Sequence, residues 1–437
     1  MADNLEDLRG RIWTAALDGD DHGAADVALA ALDDGLPVEE LLLNVLAPVQ
    51  LRVGDAWAAN AVTVAQEHIV TAVSERVLAA AARHPAARAR HAGGKGRAAV
   101  ACVDGEWHAF PARLLAEVLR LDGWRVDYLG PHVPTPFLPI HARESGTDVV
   151  LLSASLPTRL PAAHQAIAAC RQVGRPVLAG GAAFGADGRY ARLLGADGWA
   201  PDGRRTAERL SDGPPYTRLP GTAGRTPDGR TPDGRASDGL DTSAGTATPG
   251  RSTVGPVAGQ GPEPIAGQGA EPGAGQGAGQ GAEPGAGQGA GQGAGQGAGP
   301  GGVGSGGQQA PPDQEYGHLI GMTQSLVDSV MWRLGERIPA MAAYNDRQLE
   351  HTREDITHLL DHLAISSYVG DPVLFSRFLL WMAGVLTARG VPEETLLPAL
   401  DLIAAGLKGC PRALETVERG QEVLRREHGR AKPGHPF

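Results

Sequence analysis

The stretch VACVDGEWHAF, residues 100–110, passes from an apolar, strand-forming run into the turn pair Asp104-Gly105. Glu106 then stands two residues before His108, and a helix is expected to follow. A carboxylate on one imidazole nitrogen leaves the other nitrogen for a metal, although a lone loop histidine is commonly a plain surface residue. One nitrogen ligand is too few for zinc, which takes four, so the pattern favours a metal carried by a macrocycle.

Composition limits the classes of partner. The formal charge of -11 and the pI near 5.7 argue against a nucleic-acid-binding face. No apolar run reaches the roughly 20 residues of a membrane span, and the first residues predict an amphipathic helix rather than a leader. The three cysteines are widely spaced, which indicates a reducing compartment. We therefore expect a cytoplasmic protein that binds neither nucleic acid nor membrane.

Periodicity divides the chain into four segments. Residues 1–90 carry apolar positions at helical spacing and predict a bundle of four helices. Residues 91–202 alternate short apolar strands with helices, which predicts a doubly wound parallel sheet. Residues 203–312, rich in Gly, Pro and Gln, lack the apolar side chains for a core and predict a disordered linker. Residues 313–437 predict an all-helical domain.

Three segments of the predicted sheet point to one edge. His108 follows the first strand, Ser153 and Ser155 end the third, and Gly180 and Gly181 end the fourth. Ligands of open parallel sheets bind beyond the carboxyl ends of the strands, so we expect a binding site there.

These segments resemble the cobalamin-binding domain that binds its cofactor base-off, with a histidine on cobalt. The first motif of that family, Asp/Glu-x-His-x-x-Gly, stands here as residues 106–111, with Pro111 in place of the glycine. The resemblance implies a flavodoxin-like fold in which His108 is the lower cobalt ligand and Glu106 tunes its basicity.

The other two motifs of that family are Ser-x-Leu and Gly-Gly. They stand here as Ser153-Ala154-Ser155, with serine in place of leucine, and as Gly180-Gly181. By resemblance, the serines line the slot for the nucleotide tail, and the glycines let the backbone approach its benzimidazole.

The predicted helical bundle contains the pattern W-x9-E-H, formed by Trp57, Glu67 and His68. Taken alone, it is also typical of a core tryptophan with a solvated Glu-His face. Beside a cobalamin domain it resembles the cap of CarH-type light sensors, which implies bound adenosylcobalamin with Trp57 over the upper ligand and Glu67 on the adenosyl group. His68 would shape the pocket.

Two departures from CarH-type proteins matter. Their extra cap histidine, which captures cobalt after illumination, aligns with Ala58, so a bis-histidine photoproduct from that position is not expected. Their DNA-binding helix-turn-helix precedes the cap, whereas this predicted cap starts near residue 4, so we expect no repressor activity.

The run HTREDITHLLDHLAISSYVGDPVLFSRFLLWMAGVLTARGVP, residues 351–392, resembles the chromophore region of phycobiliproteins through its Arg/Glu-Asp patch, Gly370-Asp371 and the closing residues 389–392, which implies a globin-like fold. In that family an aspartate lies under the pyrrole nitrogens of a bilin; counting back from Gly370-Asp371, it falls on Asp355. The family's cysteine position falls near Thr352, so a linear tetrapyrrole such as biliverdin would be non-covalent or attached elsewhere.

The resemblance implies further bilin contacts on the same helix. Arg353 or Arg347 would clamp a propionate, and His351, His358 and His362 would cover the rings. These side chains are equally compatible with an ordinary exposed helix face. The i, i+4 pair His358 and His362 also suits a metal ion, given a third ligand.

Together, the modules resemble the photoreceptors called photocobilins. We expect a light sensor, not an enzyme, in which photolysis of the cobalt–carbon bond moves the cap and signals to an unnamed effector protein; a homodimer is possible. The alternatives are a corrinoid methyl carrier of a methyltransferase system and an interaction module without cofactors.

Overall fold

The computed structural model describes residues 2–88, 94–211, 314–392 and 395–430. The N-terminal helices are α1 (Ala2–Leu17), α2 (Asp21–Asp33), α3 (Val38–Leu41), α4 (Ala47–Ala58), α5 (Val64–Arg83) and α6 (Pro85–Arg88). A π-helical segment, Leu42–Leu46, joins α3 to α4, so these pieces form the continuous third helix of a four-helix cap. The helical cap is confirmed, and its core is apolar, with Ile12, Leu41 and Leu78 fully buried.

The central domain is a parallel sheet flanked by helices. Its strands are β1 (Arg97–Cys102), β2 (Arg125–Gly130), β3 (Val149–Ser153), β4 (Val177–Gly180) and β5 (Gly198–Trp199). Its helices are α7 (Phe110–Leu121), α8 (Phe137–Glu144), α9 (Leu160–Gln172), α10 (Arg189–Leu193) and α11 (Gly203–Ser211). The strand order β2-β1-β3-β4-β5, all parallel, confirms the doubly wound sheet. The two-residue strand β5 was not predicted.

The strand register brings the predicted site segments together. Cys102 at the end of β1 pairs with Ser153 at the end of β3, and Ser153 pairs with Gly180 at the end of β4. The loops that follow these strands therefore leave the sheet side by side at its carboxyl edge.

Helix α11 lies inside the segment that we expected to be linker. Its Thr206 and Leu210 are buried, and Arg204 forms ion pairs of 2.8 and 2.7 Å with Glu39 and Glu40 of the cap. The boundary predicted at residue 202 is therefore too early, because the folded part reaches Ser211. Residues 212–312 of the expected linker lie outside the described residues.

The C-terminal region is helical, as predicted. Its helices are α12 (Gln314–Arg337), α13 (Asp346–Val369), α14 (Pro372–Ala388), α15 (Leu396–Gly406) and α16 (Pro411–Arg430), with a 3₁₀ segment at Pro339–Ala343. Gly370, at φ +66°, ends α13 in the left-handed conformation that suits glycine, and the carboxylate of Asp371 caps α14 by accepting from the Val373 amide. A globin-like arrangement stays a prediction.

The helical region is docked on the sheet domain. Ile365, Val369 and Leu374 join the apolar cluster that packs beneath α9 and α10. Around this cluster, His164 Nδ1 lies 2.5 Å from the Tyr368 hydroxyl, and the Tyr190 hydroxyl donates to Asp371 at 2.6 Å. The apolar patch and its polar contacts make this a packed interface.

Within the described part of the chain, no helix combines the length and apolar character required to cross a membrane.

Candidate functional site

The His108 side chain lies beyond β1 and is 57% exposed, with a buried carboxylate behind it. Its Nδ1 is 2.6 Å from Glu106 Oε1, and Glu106 itself is 0% exposed. The loop has this shape because Gly105 takes a positive φ of 75°, which glycine tolerates, and because Pro111 sits in the first turn of α7. With Nδ1 engaged, Nε2 is the nitrogen left to bind a metal.

The Glu106 carboxylate joins two loops of the sheet edge. Its Oε1 also accepts from the His108 amide at 2.9 Å, and its Oε2 accepts from the amides of Ser155 and Leu156 at 2.7 and 3.2 Å. Each oxygen therefore has two N–H donors, one pair from the loop after β1 and the other from the loop after β3. A buried carboxylate with all these donors fixes both loops.

The two side chains shift each other's pKa in opposite directions. The hydrogen bond to Glu106 raises the pKa of His108, and the charge of Glu67 in the cap adds to that rise. Burial alone would raise the pKa of Glu106, but the hydrogen bonds from His108 and Ser155 outweigh it and lower that pKa. Glu106 is therefore a carboxylate, which makes it an acceptor for the Nδ1 proton and increases the basicity of Nε2.

A second histidine, which was not predicted to belong to the site, stabilises the loop after β1. His132, after β2, has a φ of +48°, accepts from the Gly105 amide at its Nδ1 over 2.8 Å, and donates its own amide to the Glu106 carbonyl. Its ring stacks on Trp107 with centroids 4.9 Å apart. The sequence signal that could have identified His132 is its position two residues after the end of β2, at the same edge of the sheet as His108.

The remaining sheet residues lie at the same edge. Ser153 is buried at the end of β3, and Ser155 is half-buried in the loop that Glu106 holds. Gly181 has a φ of +101°, and a Cβ there would lie 2.3 Å from the Ala154 carbonyl oxygen, whereas one on Gly180 would meet only the Ala200 oxygen at 3.6 Å. The backbone itself thus requires glycine at 181; contact with a nucleotide tail stays a prediction for both glycines.

The cap presents Glu67 towards this edge. Thr63 starts α5 with a capping box, which places Glu67 in the first turn of that helix and His68 directly after it. Glu67 accepts from the Thr71 hydroxyl at 3.4 Å and acts electrostatically on His108. His68 is 67% exposed, with its Nδ1 3.9 Å from Glu67. The charge of Glu67 in the cap therefore acts on His108 of the sheet domain, whereas a pocket role for both Glu67 and His68 stays a prediction.

Trp57 lies near the end of α4, next to Ala58, the last residue of that helix. Its ring is half-buried and stacks at 6.3 Å on Trp381 of α14, with the Arg389 guanidinium 5.0 Å from the ring centroid. These two contacts could not be predicted from the sequence, because both partners of Trp57 belong to the C-terminal region.

The metal-binding side chains at this edge of the sheet fit a cobalt ion that is carried by a macrocycle. Among the residues that the structure describes, no group of three His, Cys, Asp or Glu side chains is placed to hold a metal ion by itself. One basic imidazole backed by a buried carboxylate fits a metal that brings most of its own ligands. The residues present therefore fit such a group, with His108 as its protein ligand.

Family models match the helical cap and the sheet domain separately. Residues 8–81 match one model described as a B12 binding domain, and residues 96–211 match another of the same description. The N-terminal region carries B12-binding domains. Its cofactor class is accordingly a cobalamin or related corrinoid.

Solved structures similar to the chain include three corrinoid or cobalamin proteins. The Methanosarcina barkeri monomethylamine corrinoid protein is 19% identical over 47% of this chain and 98% of its own, with a TM-score of 0.41. The methanol:cobalamin methyltransferase complex MtaBC of the same organism is 16% identical over 47% and 78%, with a TM-score of 0.26. A cobalamin-binding protein of Desulfitobacterium hafniense DCB-2 is 17% identical over 47% and 97%, with a TM-score of 0.26. No curated protein matches the chain.

The residues proposed to hold a bilin separate into two groups on α13. Asp355 is half-buried, and burial raises its pKa against the opposing charges of His358, Arg389 and His351. The Arg353 guanidinium, by contrast, contacts Asp328 of α12, and Arg347 is exposed. The structure thus groups Asp355 with two of the histidines, while Arg353 is engaged by Asp328.

The three histidines differ in their contacts. His351 Nδ1 is 3.1 Å from Glu354, whereas its Nε2 is buried without a hydrogen-bond partner. His362 stacks on Phe378 at 3.5 Å and donates its Nδ1 proton to the His358 carbonyl, and burial lowers its pKa to about 4. His358 is exposed. Contact of any of them with a tetrapyrrole stays a prediction.

Proposed function

We propose that this protein is a light sensor that binds adenosylcobalamin in its B12-binding module and a linear tetrapyrrole such as biliverdin in its helical module. It signals to a partner protein and catalyses no reaction itself. The observation that supports this most is the position of Trp57, which belongs to the cap and contacts Trp381 and Arg389 of the helical module.

The residues of the B12-binding module have distinct parts in this proposal. Adenosylcobalamin, when bound, would supply a cobalt–carbon bond that light can break. His108 would bind the cobalt of the cofactor, with Glu106 keeping the proton on Nδ1. From the cap, the Glu67 carboxylate would accept hydrogen bonds from the adenosyl ribose, and Trp57 would cover the adenosyl group with an apolar wall.

Without an adenosyl group, Trp57 and Glu67 would lose the contacts that are proposed to differ between two states of the cap. A ligand shifts a conformational equilibrium only through such differential contacts, so the cap would move when Trp57 and Glu67 lose their partner. Because Trp57 touches α14, that movement would be transmitted to the helical module and from there to a partner.

Asp355 is the residue that best supports a pigment in the helical module. Its carboxylate is half-buried, and burial raises its pKa, so it lacks full compensation for its charge. Pyrrole N–H groups of a tetrapyrrole are donors that would satisfy it.

Visible spectra test the proposal. The full-length protein is incubated with adenosylcobalamin and biliverdin, separately and together, and spectra are taken in the dark and after illumination. We expect tight binding of both pigments and light-dependent bleaching of the cobalt–carbon absorption. The His108→Ala protein serves as the control for specific uptake.

Two outcomes would contradict the proposal. Equal binding of methylcobalamin and adenosylcobalamin, without biliverdin uptake, would favour a methyl carrier. A colourless protein after incubation with every pigment would favour an interaction module.

A further inference from the structure

The cap and the helical module meet where α4 and α14 end. The Trp57 and Trp381 rings are 6.3 Å apart with planes inclined by 29°, and Arg389 lies over the Trp57 ring at 5.0 Å. Beside them, Asn60 Nδ2 donates to the Ala388 carbonyl at 3.4 Å. Trp57 is therefore held by groups from outside the cap.

Arg389 is an unusual cation in this contact. It is half-buried, its Nε has no surface exposure and no hydrogen-bond partner, and burial lowers the pKa of its guanidinium. A cation deprived of water interacts most strongly with an aromatic face. The geometry thus gives the Trp57 ring and the Arg389 guanidinium a mutual attraction larger than that of an exposed pair.

Trp381 continues the contact into the helical module. Its ring lies 5.8 Å from Phe378, which in turn stacks on His362 at 3.5 Å. Since Phe378 and Trp381 both belong to α14 and His362 belongs to α13, the surface against Trp57 is supported by two packed helices. The support is accordingly stiffer than a single flexible side chain would provide.

We propose that Arg389 is a positioning residue of the cobalamin site, holding the Trp57 indole in the orientation that covers the upper ligand of the cofactor. The B12-binding module would then be incomplete without the helical module. This inference rests on the proposed function, because it assigns Trp57 to the adenosyl group.

The test compares two cobalamins in the full-length protein in the dark. Hydroxocobalamin shares the His108 contact with adenosylcobalamin but lacks the adenosyl group that Trp57 would cover. We expect R389A to weaken adenosylcobalamin binding about three- to thirtyfold, as loss of a cation–π contact predicts, and to change hydroxocobalamin binding less than about twofold. R389K should restore part of the affinity.

Two controls separate positioning from folding. Arg377 is an exposed arginine of α14, the helix that Arg389 directly follows, so R377A should leave both affinities unchanged. In a W57A protein, R389A should have no further effect on adenosylcobalamin, because the two residues act through one contact.

The outcomes distinguish this inference from the proposed function. If the unaltered protein prefers adenosylcobalamin but R389A weakens both cobalamins equally, or neither, the positioning role is wrong and the proposed function stands. An additional loss of affinity on adding R389A to W57A would also overturn it. If the unaltered protein takes up neither cobalamin, both proposals fall.

Discussion

The substitution Glu106→Gln tests how the sheet edge prepares His108. Each carboxylate oxygen of Glu106 accepts from two N–H donors, so a glutamine amide can satisfy only one of the two pairs. If the carbonyl of the glutamine serves Ser155 and Leu156, its NH₂ group faces His108. The imidazole then accepts at Nδ1 and carries its proton on Nε2, where it blocks coordination of a metal.

The cost can be estimated from the donors left without an acceptor. In that arrangement the His108 backbone amide faces the glutamine NH₂ group without an acceptor, and this loss, together with the lost charge, corresponds to about 2–4 kcal/mol of unfolding free energy. For a folded part of this size, that lowers the melting temperature by about 5–15 °C. E117Q is a matched control, because Glu117 is another buried glutamate, paired with Arg120 on α7.

The assay joins thermal unfolding to electron paramagnetic resonance. Bound cob(II)alamin, in protein labelled with ¹⁵N-histidine, reports through its hyperfine splitting whether the axial nitrogen comes from the protein. We expect the histidine signature in the parent and in E117Q, and its loss in E106Q. If E106Q melts within about 1 °C of the parent and keeps the histidine signature, the carboxylate does not set the tautomer of His108.

Three further predictions address single positions. His108→Ala removes the imidazole that is proposed to bind cobalt, so we expect weaker cobalamin uptake and no histidine hyperfine splitting in the same resonance experiment. Gly181→Ala would place a Cβ 2.3 Å from the Ala154 carbonyl oxygen at a positive φ, so it should cost about 2–4 kcal/mol in chemical denaturation, whereas Gly180→Ala should cost less than about 1 kcal/mol. Burial raises the pKa of Asp355, so the ionised carboxylate destabilises the folded state. This loss of unfolding free energy grows as pH rises through that pKa, and Asp355→Asn removes it. The variant should melt above the parent at pH 7, with a gap that closes towards pH 4, and should lose bilin absorption while cobalamin spectra stay unchanged.

The parts of the site that the sequence could reveal depend on short spacings. Strand β1, the turn at Gly105 and the pair Glu106 and His108 lie within one stretch, so apolar periodicity and turn chemistry suffice to place them. The strand ends at Ser153 and Gly180 follow from the rule that parallel strands share a carboxyl edge.

The parts that could not be predicted depend on contacts between distant segments. The second oxygen of Glu106 meets the amides of Ser155 and Leu156, and backbone amides carry no sequence signal. Trp57 meets Trp381 across two modules, which no periodicity within either module encodes. Helix α11 was missed because its short, polar run offers few apolar positions.

The location of Arg389 has a thermodynamic consequence for the two proposed pigments. Its guanidinium lies over the Trp57 ring and also interacts with the charge of Asp355. If cobalamin bound near Trp57 or a bilin bound near Asp355 alters Arg389, the binding of one pigment changes the affinity for the other. Linkage requires that each pigment changes the affinity for the other by the same factor. Biliverdin titrations with and without cobalamin, and the reverse pair, would then yield one coupling constant.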